Sequence, residues 1–170
     1  MSKLVNFIGF QACWFACVLG AAHEREWLGP LCVAAWSVYA VRSASRPGRE
    51  ALALAAVGLL GALVGVVELG SGWLAFRGSA LAPGVAPAWI LALWVVFAST
   101  FASSLAWITS RPWLNAAFAL IGAPLSYLGG ERLGSLSVLE PRTQALLGVG
   151  ALWALALPLA AWVYERIRAQ

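Results

Sequence analysis

The sequence predicts an all-α membrane protein, a polytopic bundle of six transmembrane helices with both termini in the cytoplasm. Of the 170 residues, 62% are hydrophobic and only 11% are charged, whereas about a quarter of the residues of a soluble domain are charged. So few polar side chains cannot cover the surface of a soluble fold of this size. Six helices of about 20 residues each would cross a bilayer and leave short loops. We therefore expect one integral membrane domain over residues 1–170.

The first two spans are predicted at residues 4–22 and 27–41. A basic start followed by an apolar stretch also occurs in cleaved signal peptides, but their apolar region is shorter and lacks polar residues such as Asn6 and Gln11. The second span has Pro30 in its first turn, where a missing N–H does little harm. Both stretches are therefore predicted to be membrane helices.

The third span is predicted at residues 51–69 and carries Gly58, Gly61 and Gly65. Glycines spaced by three and four form a groove into which another helix can pack closely. The connection that follows, residues 73–88, is the longest between two spans. We interpret it as either an interfacial loop or a short re-entrant turn.

The fourth span is predicted at residues 88–108, with tryptophans at the two membrane interfaces. A helical projection separates two sides of this span. One side contains Ser99, Thr100, Ser103 and Trp107, and the other contains Trp94, Phe97 and Phe101. We expect the small hydroxyl residues to pack into the bundle and the aromatic residues to face lipid. A polar-lined cavity between helices is the alternative.

The last two spans are predicted at residues 112–128 and 145–164. Pro124 lies late in the fifth span and predicts a kink with freed carbonyl groups. Tyr127 is expected at the outer membrane interface. Since the chain shows no convincing internal repeat, an inverted-repeat transporter is not supported.

Basic residues predict the orientation, because cytoplasmic segments carry the excess of Lys and Arg. With the N-terminus inside, the cytoplasmic segments contain Lys3, Arg42, Arg46, Arg49, Arg111, Arg166 and Arg168. The outer segments contain only Arg25, Arg77, Arg132 and Arg142. Both termini are therefore predicted in the cytoplasm.

Glu68 is the one carboxylate inside an apolar run, and such residues are candidates for function, usually with a partner. On the predicted topology it lies near the outer surface, where Arg132, His23 or Arg77 can reach it. Glu68 is then a proton acceptor or a polar anchor for a ligand. The other interpretation, which its position at a helix end favours, is a side chain exposed to interfacial water.

Further polar side chains in the spans are candidates for ligand contacts. They are Tyr127, Asn6, Gln11, Ser99 and Ser103. For Asn6 and Gln11 we favour hydrogen bonds between helices, because membrane helices use such groups in packing.

No motif identifies a reaction, a metal or a cofactor. Cys13, Cys17 and Cys32 lack the spacing of a ligand set, so neither a metal site nor a cofactor is expected. The chain has one His and no Asp, which makes standard hydrolase chemistry improbable. Its basic residues form no continuous face, so a nucleic-acid partner is not expected.

Several short stretches resemble one family of small bacterial inner-membrane proteins, domain of unknown function 2878. These stretches are Asn6-Phe7, Phe10-Gln11, Trp14-Phe15, Val18-Leu19-Gly20-Ala21, Trp89, Leu93-Trp94, Phe97-Ala98, Ser104-Leu105, Trp107, Pro124-Leu125-Ser126-Tyr127 and Arg132-Leu133-Gly134. Members of the family often carry an Asn-His pair where this chain has Ala102 and Ser103, so any chemistry of that His is absent here. The resemblance implies a multi-pass protein of the bacterial inner membrane and no particular activity.

These observations predict a non-catalytic membrane component that binds a lipid, a small lipophilic ligand or a membrane partner. Membrane lipids are the expected partners, together with another membrane protein or a second copy of the chain. One alternative is an intramembrane lipid-modifying enzyme that uses Glu68, His23 and Arg132. The other is a small transporter or substrate-binding membrane subunit, which rests on analogy of fold.

Overall fold

The computed structural model describes residues 2–170, and this part of the chain forms seven helices and one two-stranded sheet. The helices are α1 (Lys3–Ala22), α2 (Leu28–Arg42), α3 (Pro47–Gly70), α4 (Ala88–Ala98), α5 (Ala106–Thr109), α6 (Pro112–Arg132) and α7 (Arg142–Ala169). The strands are β1 (Leu74–Phe76) and β2 (Leu136–Val138). The predicted helical class is confirmed, whereas the small sheet was not predicted.

Five of the six predicted apolar runs correspond to single helices, α1, α2, α3, α6 and α7. The longer ones extend beyond the apolar run itself. For example, α3 begins at Pro47, since proline fits the first turn of a helix. Three helices, α1, α3 and α7, are long and apolar enough to cross a membrane, and α2 and α4 are shorter apolar helices.

The predicted fourth span is not one helix, which corrects the expectation of a continuous helix over residues 88–108. The backbone leaves helical geometry after α4 and returns to it only in the short α5. Within the break, the Ser99 hydroxyl donates to the carbonyl of Val96 (2.7 Å) and the Thr100 hydroxyl to that of Phe97 (2.6 Å). Hydroxyl groups that bond nearby carbonyls compete with the helix ladder. The serine- and threonine-rich sequence therefore accounts for the break.

Helix α4 is the central element, because it packs against α1, α2, α3 and α7. The glycine groove of α3 receives it: Gly61 lies directly against Trp94, and a Cβ at Gly65 would approach Ala86 to 3.0 Å. The expectation that these glycines admit a neighbouring helix is confirmed.

The aromatic side of the fourth span faces inward, which contradicts the expectation that it meets lipid. Trp94 is 2% exposed and Phe101 is 3% exposed. Trp94 stacks on Trp153 of α7 with ring centroids 4.3 Å apart. Since no residue of α4 is exposed, the whole circumference of α4 is used for packing. Trp107 of α5, on the side that was expected to pack into the bundle, is 58% exposed. A helix at the centre of a bundle has no lipid-facing side, and the projection could not reveal that position.

Residues 73–88 form a loop that pairs with a distant part of the chain. Strand β1 runs antiparallel to β2, with Ala75 opposite Ser137. Phe76, the last residue of β1, packs edge-on against Trp89 at the start of α4. The Trp89 indole donates to the carbonyl of Arg77 (2.8 Å). This sheet closes one end of the bundle, which we call the sheet end. Both chain termini lie at the opposite end, the terminus end.

Candidate functional site

Asn6 holds the broken segment after α4 in place. Its side-chain amide donates to the carbonyl of Ser99 (3.0 Å), and its oxygen accepts from the backbone N–H (3.3 Å) and hydroxyl (2.6 Å) of Ser104. The indole of Trp36 donates to the Ser99 hydroxyl (3.1 Å). Asn6 is fully buried, and the expected hydrogen bonding to another predicted span is confirmed for Asn6 but not for Gln11, which lines the cavity described next.

A cavity of about 420 Å³ lies between α1, α4, α6 and α7. Its volume falls within the range of about 300–1,000 Å³ that is typical of ligand pockets. The wall from α1 extends from Phe7 to Val18, a distance of roughly 16 Å at 1.5 Å per residue. The cavity is therefore a long channel that follows the helix axes.

The lining of this cavity is mainly apolar. Its aromatic members are Phe7, Phe10, Trp14, Trp89, Trp94, Phe97, Phe118, Tyr127 and Trp153. Its polar members are Gln11, Thr100, Ser104, Ser126 and Tyr127. Such a lining matches an elongated apolar molecule that carries few hydrogen-bonding groups.

The cavity opens sideways between α1 and α6. These two helices do not pack along their length, although at the sheet end Trp14 reaches within 3.9 Å of the Cβ position of Gly129. Phe7 and Phe118 on the two sides of the opening are 51% and 41% exposed. A molecule can therefore enter from the flank of the bundle.

Glu68 lies directly behind the cavity wall. Its Oε1 accepts hydrogen bonds from the hydroxyl of Tyr127 (2.8 Å) and the indole of Trp153 (2.9 Å). Its Oε2 is buried and has no partner within residues 2–170. Because Tyr127 and Trp153 both line the cavity, Glu68 fixes the orientation of two wall residues that belong to different helices.

Two expectations about Glu68 are wrong. It is completely buried and is not a helix-end residue in contact with interfacial water. Within residues 2–170 it also has no arginine or histidine partner: the His23 ring bonds the carbonyl of Leu19, and Arg77 donates to that of Ala22. The salt bridges among residues 2–170 are Arg142–Glu131 and Arg168–Glu50, so the expected pairing with Arg132 does not form.

The other predicted site residues have separate positions. Tyr127 and Gln11 line the cavity, and Ser99 belongs to the Asn6 network. The Ser103 hydroxyl is buried without a partner within residues 2–170. The structure therefore unites Glu68 with Tyr127 and does not unite either with His23 or Arg132.

Two buried residues that the sequence analysis did not single out are also relevant to the site. Trp153 completes the pair of donors to Glu68, and a tryptophan in the middle of a predicted span is itself a signal, because a buried indole N–H needs an acceptor. Asn115 in α6 is fully buried, and both of its amide atoms lack a partner within the described part of the chain. An asparagine within an apolar run indicates in the same way a buried polar group that needs hydrogen-bond partners.

At the sheet end, Glu131 connects α6 to the start of α7 and to strand β2. The Arg142 guanidinium donates to the Glu131 carboxylate, which also accepts from the backbone N–H of Val138 (2.8 Å). The bonds from Arg142 and Val138 hold the pKa of Glu131 below its usual value. Because the pair is exposed, it contributes little to stability. Within residues 2–170, no group of three or more His, Cys, Asp or Glu side chains is placed to hold a metal ion.

The fold and cavity define an all-helical protein with an apolar channel backed by a buried carboxylate. The chain belongs to the family described as Protein of unknown function (DUF2878), whose model matches residues 3–159. This match confirms the resemblance drawn from the short sequence stretches. No curated protein and no solved structure matches the chain significantly.

Substitution at Glu68 tests its role in organising the cavity wall. Glu68→Gln keeps the accepting oxygen for both donors, so we expect it to retain more thermal stability in detergent than a variant without that acceptor. Glu68→Leu leaves the Tyr127 hydroxyl and Trp153 indole without an acceptor and should destabilise the protein by about 1–3 kcal/mol. Thermal unfolding followed by circular dichroism measures both. Equal loss of stability in the two variants would contradict the role of Oε1 as acceptor.

Proposed function

We propose that the protein is a multi-pass protein of the bacterial inner membrane with six spans and cytoplasmic termini. Large apolar side chains are exposed all around the bundle, including on the helices that are too short or too polar to count as spans by themselves. Examples are Leu31 and Val38 on α2 and Ile121 and Leu125 on α6, each more than half exposed. In water this surface would drive aggregation, whereas a bilayer covers it.

The fourth span of this proposal is composite. It consists of α4, the break at residues 99–105 and α5. Non-helical backbone is tolerated at membrane depth where it is buried in protein, and Asn6 supplies partners to both sides of the break. The bonding around Asn6 therefore supports a membrane position for residues 88–109.

The proposed orientation rests on the basic residues of the terminus end. Arg49, at the start of α3, donates to the side chain of Gln170 (3.1 Å), so the predicted cytoplasmic segments at residues 42–50 and at the C-terminus lie side by side. In a topology with six spans, four spans separate the loop at residues 42–50 from the C-terminus, so both lie on the same side of the membrane. The contact between Arg49 and Gln170 agrees with this requirement. The excess of arginine at this end then favours the cytoplasm.

Labelling of single cysteines tests the topology. In a variant with Cys13, Cys17 and Cys32 replaced by Ala, Ser45→Cys should react with a membrane-impermeant maleimide only after the cells are lysed. The matched variant Ala82→Cys, on the exposed sheet-end loop, should react in cells whose outer membrane alone is permeabilised. Labelling of both cysteines from the same side of the membrane would contradict six spans with the N-terminus inside.

We propose that the cavity binds a lipophilic molecule, either a lipid chain or a small apolar ligand. The single observation that carries this proposal is the apolar channel that opens sideways between α1 and α6. In a bilayer that opening faces acyl chains, and a channel roughly 16 Å long accommodates one extended chain. Such binding needs no catalytic group, which agrees with the absence of a catalytic motif in the sequence.

The polar groups along the cavity would orient the ligand. Ser126 and Tyr127 lie towards the sheet end, and Thr100 and Ser104 lie towards the terminus end. The Tyr127 hydroxyl already donates its hydrogen bond to Glu68, so its oxygen can only accept a hydrogen bond from the ligand. A hydroxyl or amine on the ligand near the sheet end would satisfy it.

Transport is a second candidate function, and the break after α4 favours it. Substrate sites of secondary transporters often lie beside discontinuous helices, and here Thr100 and Ser104 of the break line the cavity. The enzymatic alternative has less support, because His23, Arg132 and Glu68 do not come together.

A fluorescent fatty acid tests ligand binding. Four tryptophans line the cavity, Trp14, Trp89, Trp94 and Trp153, so cis-parinaric acid bound there should quench tryptophan emission by energy transfer. We expect saturable quenching in detergent. Gly122→Leu should weaken it at least about tenfold, because only the Phe118 ring lies within 4 Å of the Cβ position of Gly122 and the new side chain fills cavity space.

The matched control is Ile121→Phe, one residue away. Ile121 is 63% exposed and does not line the cavity, so this variant should bind the fatty acid like the unmodified protein. Quenching that does not saturate, or that responds equally to both substitutions, would show that the probe partitions into the detergent and does not occupy the cavity.

A further inference from the structure

A second, polar cavity lies at the terminus end, far from the apolar channel. It has a volume of about 100 Å³ and is lined by Ala44, Ser45, Arg46, Arg49 and Arg168. A water molecule occupies about 30 Å³ in the liquid, so the cavity has room for about three waters or for one small anion. Three arginines thus line a space of anion size.

One of the three arginines is held by contacts within the fold. The Nε of Arg168 bonds Oε2 of Glu50 (2.8 Å), while the Tyr164 hydroxyl bonds Oε1 (2.6 Å). The Arg168 guanidinium also lies over the Tyr164 ring, 5.2 Å from its centroid. With both oxygens of the buried Glu50 in use, Arg168 is fixed at the edge of the cavity through its Nε and its terminal nitrogens have no partner within residues 2–170.

The other two arginines make no salt bridge within residues 2–170. Arg49 donates to the neutral side chain of Gln170, and Arg46 makes no side-chain hydrogen bond or salt bridge within residues 2–170. Repulsion among three cations that share one small space is relieved when an anion binds between them. Planar guanidinium groups match the oxygens of phosphate in paired hydrogen bonds.

We propose that this cavity, which we call the arginine pocket, binds a phosphate group. Ser45 lines the same cavity and carries a hydroxyl group that can donate a hydrogen bond to phosphate. The phosphate comes either from an anionic lipid headgroup, since basic pockets at the cytoplasmic ends of membrane helices hold such groups, or from a free phosphate ion. The proposal is independent of ligand binding in the apolar channel.

Binding of fluorescent phosphatidic acid to the full chain in an uncharged maltoside detergent tests the proposal. Fluorescence anisotropy should show saturable binding, which Arg46→Gln weakens at least about tenfold. The matched control is Arg111→Gln, which removes an exposed arginine at the same end but outside the pocket and should change the affinity less than about twofold. Phosphatidylcholine should bind much more weakly than phosphatidic acid.

Competition with inorganic phosphate distinguishes the two sources. Displacement of the lipid by millimolar phosphate shows that the pocket takes the free ion, whereas Arg46-dependent binding without displacement identifies the lipid headgroup. If Arg46→Gln reduces helicity in circular dichroism, Arg49→Gln replaces it. Equal effects of the pocket variant and Arg111→Gln, or no binding of either probe, would overturn the proposal.

Discussion

The fold depends on one buried side chain that satisfies the backbone of a broken helix. An unpaired carbonyl or N–H away from water costs as much as a lost hydrogen bond, so the central segment can leave helical geometry at residues 99–105 only where a partner exists. Asn6 supplies that partner to the carbonyl of Ser99 and the N–H of Ser104. These two hydrogen bonds fix the axial position of α1 relative to α4 and stabilise the conformation of the break.

The apolar channel follows from this arrangement. The break lines one end of it through Thr100 and Ser104, and α1 and α6 remain apart on its open side. At the other end, Glu68 holds Tyr127 and Trp153 in the wall through one oxygen. Buried polar networks outside the channel thus position the side chains that face it, and the channel itself remains mainly apolar.

The apolar runs predicted five helices and the role of the glycine groove, because hydropathy and small-residue spacing are local signals. The sequence signal for the break after α4 is weaker. It is a cluster of serine and threonine residues, which the helical projection assigned to one face of a continuous helix. The pairing of β1 with β2 joins three-residue strands about 60 residues apart, and such short strands have no sequence signature of their own. The partners of Glu68 come from α6 and α7, so only the packing of whole helices reveals them.

The most direct test of the channel is an experimental structure of the protein in a lipid nanodisc, determined by electron cryo-microscopy. We predict elongated density between α1 and α6 that extends from the level of Phe7 towards Tyr127, with α1 and α6 held apart. A structure in which α1 and α6 pack together and close this space, with Phe7 and Phe118 in contact, would contradict the account.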